Sequence, residues 1–331
     1  MFEQLLGKQI SDKFDCQSAY RKYRSCETTL VGIVEDWKKS KGEGMSVGIL
    51  STDMSKAFDS VHRPLLLSKL KSYDFNDGFV YMLNSYLSDR YNRVRLGSSV
   101  TSGWKSVVRG CPQASSLDPL IWNIFQNDLV YNTDAKISMY ADDHQIYQTG
   151  KGISTVHTKL EESASSATDW CENNLLEGNL KKYQTMFSCT EHNTNLNLNG
   201  KIIRTSDSLK ILGVTIDKCN KLNFKEHIND VCNKASQRVG VIMRLRNLIP
   251  TTAKLVLLKS AILPYLTYCH LHSHFCRASD TRRLERIQER GLRAVYKDTK
   301  PSYHQLLNTA NLPTLLNRRL QDRDMCTNVQ G

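Results

Sequence analysis

Two short alternating runs flank a pair of adjacent acids in the stretch KISMYADDHQIY, which spans Lys136 to Tyr147. Ile137 and Met139 fall on the same side of a strand, and an alternation of period two predicts strand structure. The stretch therefore predicts a β-hairpin with Asp142 and Asp143 at its tip. Like charges held side by side repel, so a fold keeps such a pair near solvent, near a cation or partly protonated. An ordinary acidic turn and a divalent-metal site both fit this pattern.

A third carboxylate ends another predicted strand. Met45 to Asp53 is mostly apolar up to Leu50, which indicates a buried sheet position. If this strand neighbours the acidic hairpin, Asp53 converges with Asp142 and Asp143. Two-metal phosphoryl transfer uses such a carboxylate cluster, because hard cations such as Mg²⁺ prefer oxygen ligands. From spacing alone the metal site is a hypothesis.

Mixed helical and strand patterns fill the first two thirds of the chain, and helical patterns follow. Helices are predicted over Cys26 to about Ser40, from near His62, over Asp77 to about Leu87, from a Ser115 or Ser116 cap through Val130, and over Ser154 to about Asn174. Strands are predicted over Tyr91 to Leu96, Trp104 to Arg109, Gln184 to Cys189, the hairpin Asn195 to Ile203, and one strand Leu209 to Ile216. From Asn223 the pattern is helical and basic, which predicts a boundary near residue 222.

Charge and cysteine usage restrict the class of protein. A net charge of +12 indicates a polyanionic partner, either nucleic acid or an anionic membrane surface. No apolar run is long enough for a membrane span, and the first residues lack the apolar core of a secretory signal, so we expect a soluble, intracellular protein without resolving nucleus from cytoplasm. The 10 cysteines include no Cys-x-x-Cys pair, and YCHLHSHFC, from Tyr268 to Cys276, fits no standard zinc module.

Four motifs in chain order carry a family resemblance. They are TDMSKAFDSVHRPLLLSKL, GCPQASSLDPLIWNIFQNDL, MYADDHQIY and LKILGVTID. Together they resemble the reverse transcriptases of non-LTR (LINE-type) retrotransposons, most closely the jockey group, from about Gln17 to the helices near Tyr296. The resemblance implies an α+β fold: a right-handed polymerase palm, with an antiparallel sheet and helices, over residues 45–222. Residues 1–44 would be partial fingers, and residues 223–331 an all-helical thumb with C-terminal basic helices.

The same resemblance implies an RNA-directed DNA polymerase that extends a DNA primer 3′-hydroxyl on an RNA template with deoxynucleoside triphosphates. Asp53, Asp142 and Asp143 would be its catalytic residues and the ligands of Mg²⁺, with Mn²⁺ as the alternative metal. The resemblance makes Phe58 the aromatic gate against the ribose 2′-hydroxyl, whereas a core aromatic is the structural alternative. The implied nucleotide and template site consists of Gly110, Pro112, Gln113, Ala114 and Ser115. Neither a membrane nor a specific protein partner is predicted.

Three positions depart from the family pattern. Ala114 and Asp118 replace two glycines, and Ser51 is polar where the family strand is usually apolar. A methyl group at residue 114 would crowd the site or forbid a positive φ, and Asp118 places negative charge at a helix start, where it could also stabilise that helix end.

The start of the chain also lacks the family's earlier finger strands. The alternative function is therefore a truncated, catalytically decayed remnant that only binds nucleic acid, and a metal-dependent phosphohydrolase is a more distant one.

A cationic stripe follows one predicted C-terminal helix. Its members recur at steps of three and four: Arg283, Arg286, Arg290, Arg293 and Lys297. Apolar residues line the adjacent stripe, namely Leu284, Ile287 and Val295. One face can pack while the other meets phosphates, which predicts a nucleic-acid-binding helix. A merely solvated basic face is the alternative.

Overall fold

The computed structural model describes residues 16–54, 56–98, 100–113, 115–188, 195–218, 224–269, 278–298 and 300–327, with side chains described up to Gln321. The helices are Cys26–Gly42 (α1), Ala57–Ser60 (α2), Arg63–Ser72 (α3), Asp77–Leu87 (α4), Asp118–Gln126 (α5), Ile153–Asn173 (α6), Lys225–Leu245 (α7), Thr251–Leu257 (α8), Leu263–Thr267 (α9), Ala278–Tyr296 (α10), Tyr303–Ala310 (α11) and Leu315–Thr327 (α12). A 3₁₀ segment, Asn127–Asn132, extends α5, and a π-helical segment, Leu258–Ile262, joins α8 to α9.

The strands form one central sheet and several hairpins. They are Ser46–Asp53 (β1), Tyr91–Asn92 (β2), Arg95–Leu96 (β3), Val100–Thr101 (β4), Lys105–Ser106 (β5), Lys136–Tyr140 (β6), Asp143–Gly150 (β7), Gln184–Phe187 (β8), Leu196–Leu198 (β9), Lys201–Ile203 (β10), Ser208–Ile211 (β11) and Val214–Asp217 (β12). The four-stranded sheet has the order β6-β7-β1-β8, and all its neighbours are antiparallel. The predicted α+β class with an antiparallel sheet is therefore confirmed.

The chain forms two compact units by its internal contacts. One unit contains the N-terminal residues up to Arg24 together with Ser40–Ser206, and the other contains Ser25–Lys39 together with the chain from Asp207 onward. In the first unit, α6 packs on β1 and β7, so that the middle strands of the sheet are covered by an amphipathic helix. In the second unit, α10 packs against α7. The finger, palm and thumb boundaries drawn from the sequence stay a prediction.

Several sequence predictions of local structure were wrong in detail. The predicted strand Tyr91 to Leu96 is divided into β2 and β3, and only Lys105–Ser106 of the predicted strand Trp104 to Arg109 is a strand. The segment Leu209 to Ile216 is a hairpin instead of one strand, because Leu212 and Gly213 take φ values of 47° and 80° and reverse the chain. The acidic hairpin turns one residue earlier than predicted. Ala141, with φ 56°, and Asp142 form the turn, and Asp143 is already the first residue of β7.

The burial pattern follows the predicted helix faces. On α1, Leu30, Ile33, Val34 and Trp37 are all buried, as the spacing of apolar residues predicts. On α10, the predicted apolar stripe of Leu284, Ile287 and Val295 is likewise buried.

Within the described part of the chain, no helix combines the length and the apolar character needed to cross a lipid bilayer.

Candidate active site

The three predicted carboxylates come together at one end of the central sheet. Asp53 is the last residue of β1 and Asp143 is the first residue of β7, and the two are direct register partners across the antiparallel pair. Asp142 precedes Asp143 in the turn. Each of the three side chains is partly exposed. The convergence predicted from strand ends is therefore found, and it arises from the β1–β7 pairing.

Burial and the repulsion between the acids both favour the protonated form of Asp143. Burial, the largest cause, and the negative charges of Asp142 and Asp53 together raise the pKa of Asp143 to about 6, while Lys182 opposes the shift. An acid held among other acids is protonated more readily because its charged form is unfavourable. The cluster therefore carries an excess of negative charge that a nearby cation would relieve.

Lys182 supplies such a cation, and the sequence did not predict its role. The ammonium nitrogen of Lys182 lies 2.8 Å from Oδ2 of Asp53. The hydrogen bond to Asp53 is the main cause of a raised pKa at Lys182, with Asp142 and Asp143 adding to it. Lys182 lies in the turn that leads into β8, the strand next to β1. No local pattern marked it, because its partner is far away in sequence.

The donor set suits a hard divalent cation. Carboxylate oxygens from Asp53, Asp142 and Asp143 are the ligand type that Mg²⁺ prefers. In the described residues, no three His, Cys, Asp or Glu side chains are already spaced as the ligands of one metal. The Lys182 ammonium contacts Oδ2 of Asp53. The residues therefore fit Mg²⁺ by chemistry, and a metal bound through that oxygen would compete with Lys182.

A buried amide network fixes the acidic turn. The carbonyl oxygen of Ala141 accepts hydrogen bonds from Nε1 of Trp122 at 2.9 Å and from Nε2 of Gln126 at 3.1 Å. The side chain of Gln17 joins the same residue, since its Oε1 accepts from the Ala141 amide at 3.2 Å. Because Gln17 and Gln126 are almost fully buried, these bonds are shielded from water. The turn is thus held by groups from two separate segments, α5 and the residues before α1.

Gln126 also reaches the residue after the acids. Its Oε1 lies 2.8 Å from Nε2 of His144, a side chain only 1% exposed. Burial lowers the pKa of His144 to about 4, so the ring is neutral at physiological pH. A neutral ring that donates to Gln126 adds no charge beside Asp143. His144 is therefore a packing and positioning residue beneath the acids.

The loop from Gly110 to Ser115 is joined to the segment that follows Asp53. The amide of Cys111 donates to the carbonyl of Phe58 at 3.0 Å, and Nε2 of Gln113 donates to Oδ1 of Asp59 at 2.7 Å. Gly110 has a φ of 83°, and a Cβ there would lie 2.7 Å from the Asp59 carbonyl oxygen. Only glycine allows this approach of two backbones.

The remaining predicted loop residues are placed near this contact. The carbonyl of Pro112 accepts from the Ser115 amide, and Oγ of Ser115 accepts from the Asp118 amide at 3.1 Å in the turn before α5. The predicted serine cap is wrong, because α5 begins at Asp118 and its N-cap residue is Leu117. Ala114, the predicted departure from the family pattern, lies outside the described residues, as do positions 270–276 of the Cys and His run.

Asp118, the second departure, is buried at the start of α5. Burial raises the pKa of its carboxyl group, a hydrogen bond with the Cys111 thiol opposes that shift, and the charge of Asp59 adds to it. Its Oδ1 has no hydrogen-bond partner among the described residues. A buried carboxylate with an unpaired oxygen is unfavourable where a glycine would leave space.

Phe58 is half-buried, with its ring against Trp122. The ring centroids are 5.4 Å apart, and Trp122 itself is fully buried. One side of Phe58 therefore belongs to the core, as the structural alternative expected, while part of its surface remains accessible. This placement is compatible with both interpretations of Phe58.

The cationic stripe on α10 is partly neutralised within the protein. Arg293 forms an ion pair with Glu289 at 2.7 Å, and Arg283 donates to Oδ1 of Asn229 at 2.9 Å. Lys297, which follows α10, donates to Oδ1 of Asn247 at 2.9 Å. Arg286 and Arg290 are exposed and form no ion pair with any described residue. Within the stripe, Arg286 and Arg290 are therefore the side chains most accessible to a nucleic-acid phosphate.

Comparison with known proteins places these features in a family. The family model described as "Reverse transcriptase (RNA-dependent DNA polymerase)" matches residues 3–216, well over half of the chain. The first three motifs and all three carboxylates of the sheet end lie within that range, and the fourth motif, Leu209 to Asp217, ends one residue beyond it.

Curated relatives come from mobile elements. The chain is 30% identical over 229 residues to the RNA-directed DNA polymerase from mobile element jockey of Drosophila melanogaster, an alignment that covers 65% of this chain and 25% of that protein. It is 28% identical over 259 residues to the probable RNA-directed DNA polymerase from transposon BS of the same organism, covering 73% of this chain and 28% of that protein. The chain thus spans about a quarter of the length of these relatives.

Solved structures agree on the fold. Apo telomerase from Candida tropicalis matches with a TM-score of 0.54 at 12% identity, covering 92% of this chain and 50% of that one. At this identity the match concerns the polymerase fold alone. The family model, the relatives and the convergent acids agree: the chain belongs to the reverse transcriptase (RNA-dependent DNA polymerase) family, in its non-LTR, LINE-type retrotransposon group.

Proposed function

We propose that this chain catalyses RNA-templated DNA synthesis by adding deoxynucleotides to a primer 3′-hydroxyl. The observation that carries the proposal is the pairing of Asp53 with Asp143 across β1 and β7, with Asp142 beside them in the turn. This arrangement presents three carboxylates at one end of the central sheet. Family membership supports the same reaction class.

The chain's own residues supply position and charge. Asp53, Asp142 and Asp143 would hold Mg²⁺, which when bound activates the attacking hydroxyl and stabilises the leaving oxygen. The amide network around Ala141 keeps the turn from shifting, so that the carboxylates need little reorganisation during the reaction. Before a metal binds, Lys182 balances part of the negative charge by its contact with Asp53.

Residues around the acids would bind the substrates. The loop residues Gly110, Pro112, Gln113, Ala114 and Ser115 would contact the nucleotide and template. We assign to Phe58 the exclusion of ribonucleotides, and Phe58→Ala should then raise the incorporation of ribonucleotides relative to deoxynucleotides. Residues 223–331 would act as the thumb, and Arg286 and Arg290 are its best candidates for phosphate contacts because both are exposed.

A primer-extension assay tests the proposal. The purified chain, with Mg²⁺ and deoxynucleoside triphosphates, should extend a DNA primer annealed to an RNA template. Asp142→Asn should abolish extension because it removes one charged ligand while keeping the shape of the side chain. Asp134→Asn, in an exposed acid before β6, is the matched control and should leave extension unchanged. Extension that survives Asp142→Asn contradicts the proposal, and nucleic-acid binding without any extension indicates the decayed remnant.

A further inference from the structure

A solvent-exposed hairpin connects α4 to the loop before α5. It runs from Arg90 to Arg109 and is called here the 90–109 hairpin. Its inner end pairs β2 with β5, and its outer end pairs β3 with β4. Every described residue from 91 to 106 is exposed. Such short strands bury almost nothing against the body of the protein, so folding alone does not explain their sequence.

The hairpin presents apolar side chains to solvent. Five of them are between 61% and 73% exposed, namely Val94, Leu96, Val100, Trp104 and Val108. Scattered single apolar residues are normal on a protein surface, whereas a cluster on one small element indicates a binding surface.

Charge identifies the kind of partner. Residues 90–109 contain 5 Arg and Lys residues and no Asp or Glu. None of these cations forms an ion pair with a described residue. The guanidinium of Arg93 lies 4.6 Å from the centroid of the Trp104 ring, which forms a stacked platform of a cation and an aromatic ring. Aromatic rings between cations are typical of surfaces that bind single-stranded nucleic acid, because bases stack while phosphates meet the cations.

The base of the hairpin is anchored to the segment that follows Asp53. The amide of Val107 donates to the Arg90 carbonyl at 2.8 Å and closes the hairpin. Arg63 donates to the Val107 carbonyl, and the Gly110 amide donates to the Val61 carbonyl at 2.9 Å. The exposed platform and the acids therefore belong to the same compact unit.

We propose that the 90–109 hairpin binds single-stranded RNA, with unpaired bases stacked on Trp104 and backbone phosphates held by Arg95 and Lys105. Stacking on an exposed ring requires bases that are not paired, which excludes the product duplex as the ligand of this surface. In an enzyme that copies RNA, the unpaired strand is the template. The restriction to RNA and the identification as template both rest on the proposed function, whereas binding of a single strand by the hairpin does not.

The tryptophans of the chain provide a direct measurement. Of its 4 tryptophans, Trp37, Trp122 and Trp170 are at most 3% exposed, so acrylamide-accessible emission comes from Trp104, which is 63% exposed. An unstructured RNA of about 15 nucleotides, without metal or nucleotides, should quench this emission and protect it from acrylamide. Trp104→Phe should lose the signal and keep most of the affinity. RNA that binds without changing the Trp104 emission overturns the proposal.

Affinity measurements by fluorescence anisotropy test the residues separately. Trp104→Ala should weaken RNA binding roughly 5- to 150-fold, the range found for removal of one base-stacking ring. Tyr131→Ala, at an exposed aromatic elsewhere in the same unit, should have no effect. Arg95→Gln should reduce the slope of log affinity against log salt concentration by about 0.7. Lys159→Gln, at an exposed cation on α6, should leave that slope unchanged.

Other outcomes point to other partners. If Trp104→Ala leaves RNA affinity intact but changes the sedimentation of the protein, the hairpin is a contact between copies of the chain and the proposal is wrong. If single-stranded DNA binds Trp104 as tightly as RNA under the same salt, the restriction to RNA is wrong. Asp142→Asn should leave RNA binding unaltered, so failure of catalysis and failure of the hairpin proposal are distinguishable.

Discussion

The ammonium nitrogen of Lys182 lies 2.8 Å from Oδ2 of Asp53, at the sheet end where Asp142 and Asp143 also lie. Three acids and one lysine in this space form a cluster with unbalanced negative charge. Lys182 is mostly exposed, so its contact with Asp53 is readily exchanged for water or for another cation. We therefore expect a metal to displace Lys182 from Asp53 without any change in the strands of the sheet.

Removal of Lys182 should tighten metal binding. Lys182→Gln deletes the cation that competes for Asp53, and exposed ion pairs of this kind alter an equilibrium by roughly twofold to fivefold. We expect Mg²⁺ affinity, measured by calorimetry on the protein without nucleic acid, to increase by about that factor. Lys181→Gln is the matched control, since Lys181 is an equally exposed neighbour. Equal Mg²⁺ affinities of the wild-type protein and the Lys182 variant would contradict competition at Asp53.

Asp143→Asn should stabilise the protein near neutral pH. The native state raises the pKa of Asp143 to about 6, whereas an unfolded chain releases this proton near pH 4, so the native state binds more protons between these values. The ionised acid therefore destabilises the fold above pH 6, and this penalty disappears as the pH falls towards 4. After allowance for solvent screening of a partly exposed group, we expect a gain of about 1–2 kcal/mol at pH 8.

Urea unfolding at pH 8 and at pH 4.5 measures this difference. The gain from Asp143→Asn should be largest at pH 8 and should shrink at pH 4.5. Asp134→Asn, at an exposed acid, should show no such dependence. A variant that is less stable than wild type at pH 8 would show that Asp143 is already neutralised in the native protein.

The sequence predicted the acids better than their surroundings. Alternation in β6 and β7 and the apolar run of β1 are local patterns, so the strands followed from them, whereas the convergence of Asp53 with Asp143 was conditional on the pairing of β1 with β7. The role of Gln126 has no such pattern, because its bonds to Ala141 and His144 form only when α5 packs beneath the hairpin. The contact of Lys182 with Asp53 likewise depends on the pairing of β1 with β8.

Local strain explains where strand predictions were wrong. The run Leu209 to Ile216 has the apolar alternation of a strand, and Gly213 is its single turn signal. The other turn residue, Leu212, has a φ of 47°, which is unusual for a leucine and which no sequence rule predicts. Ala141 is a similar case, since its positive φ moves the turn and leaves Asp143 inside β7. Tertiary hydrogen bonds to the Ala141 backbone offset the cost of that conformation.

Gln126→Leu should impair catalysis more than nucleic-acid binding. The change removes one of the hydrogen bonds to Ala141 and leaves the buried His144 ring without its partner. A buried polar group left unsatisfied costs about 1–3 kcal/mol, so we expect that loss in the free energy of unfolding together with a lower rate of primer extension. Gln148→Leu is the control, because it removes a hydrogen bond from the Gln148 side chain on β7 to Oγ of Ser163 on α6. It should lower stability by about 1 kcal/mol and leave the extension rate unchanged.

Gly110→Ala should be more damaging than an equivalent change at Gly200. The two glycines have nearly equal φ values, 83° and 81°, so the conformational cost of an alanine, about 1 kcal/mol, is shared. At Gly200 a Cβ meets no atom within 4 Å, whereas at Gly110 it lies 2.7 Å from the Asp59 carbonyl oxygen. That oxygen belongs to backbone, so relief of the clash must separate the loop from the segment after Asp53.

Unfolding and extension measurements on this pair distinguish strain from function. Gly200→Ala should lower the free energy of unfolding by about 1 kcal/mol without changing primer extension. Gly110→Ala should add a further penalty of about 1–3 kcal/mol and should also weaken deoxynucleotide binding, because the loop that carries Gln113 moves with Gly110. If both variants lose stability equally, the loop accommodates the methyl group, and the contact between Gly110 and Asp59 does not position the nucleotide site.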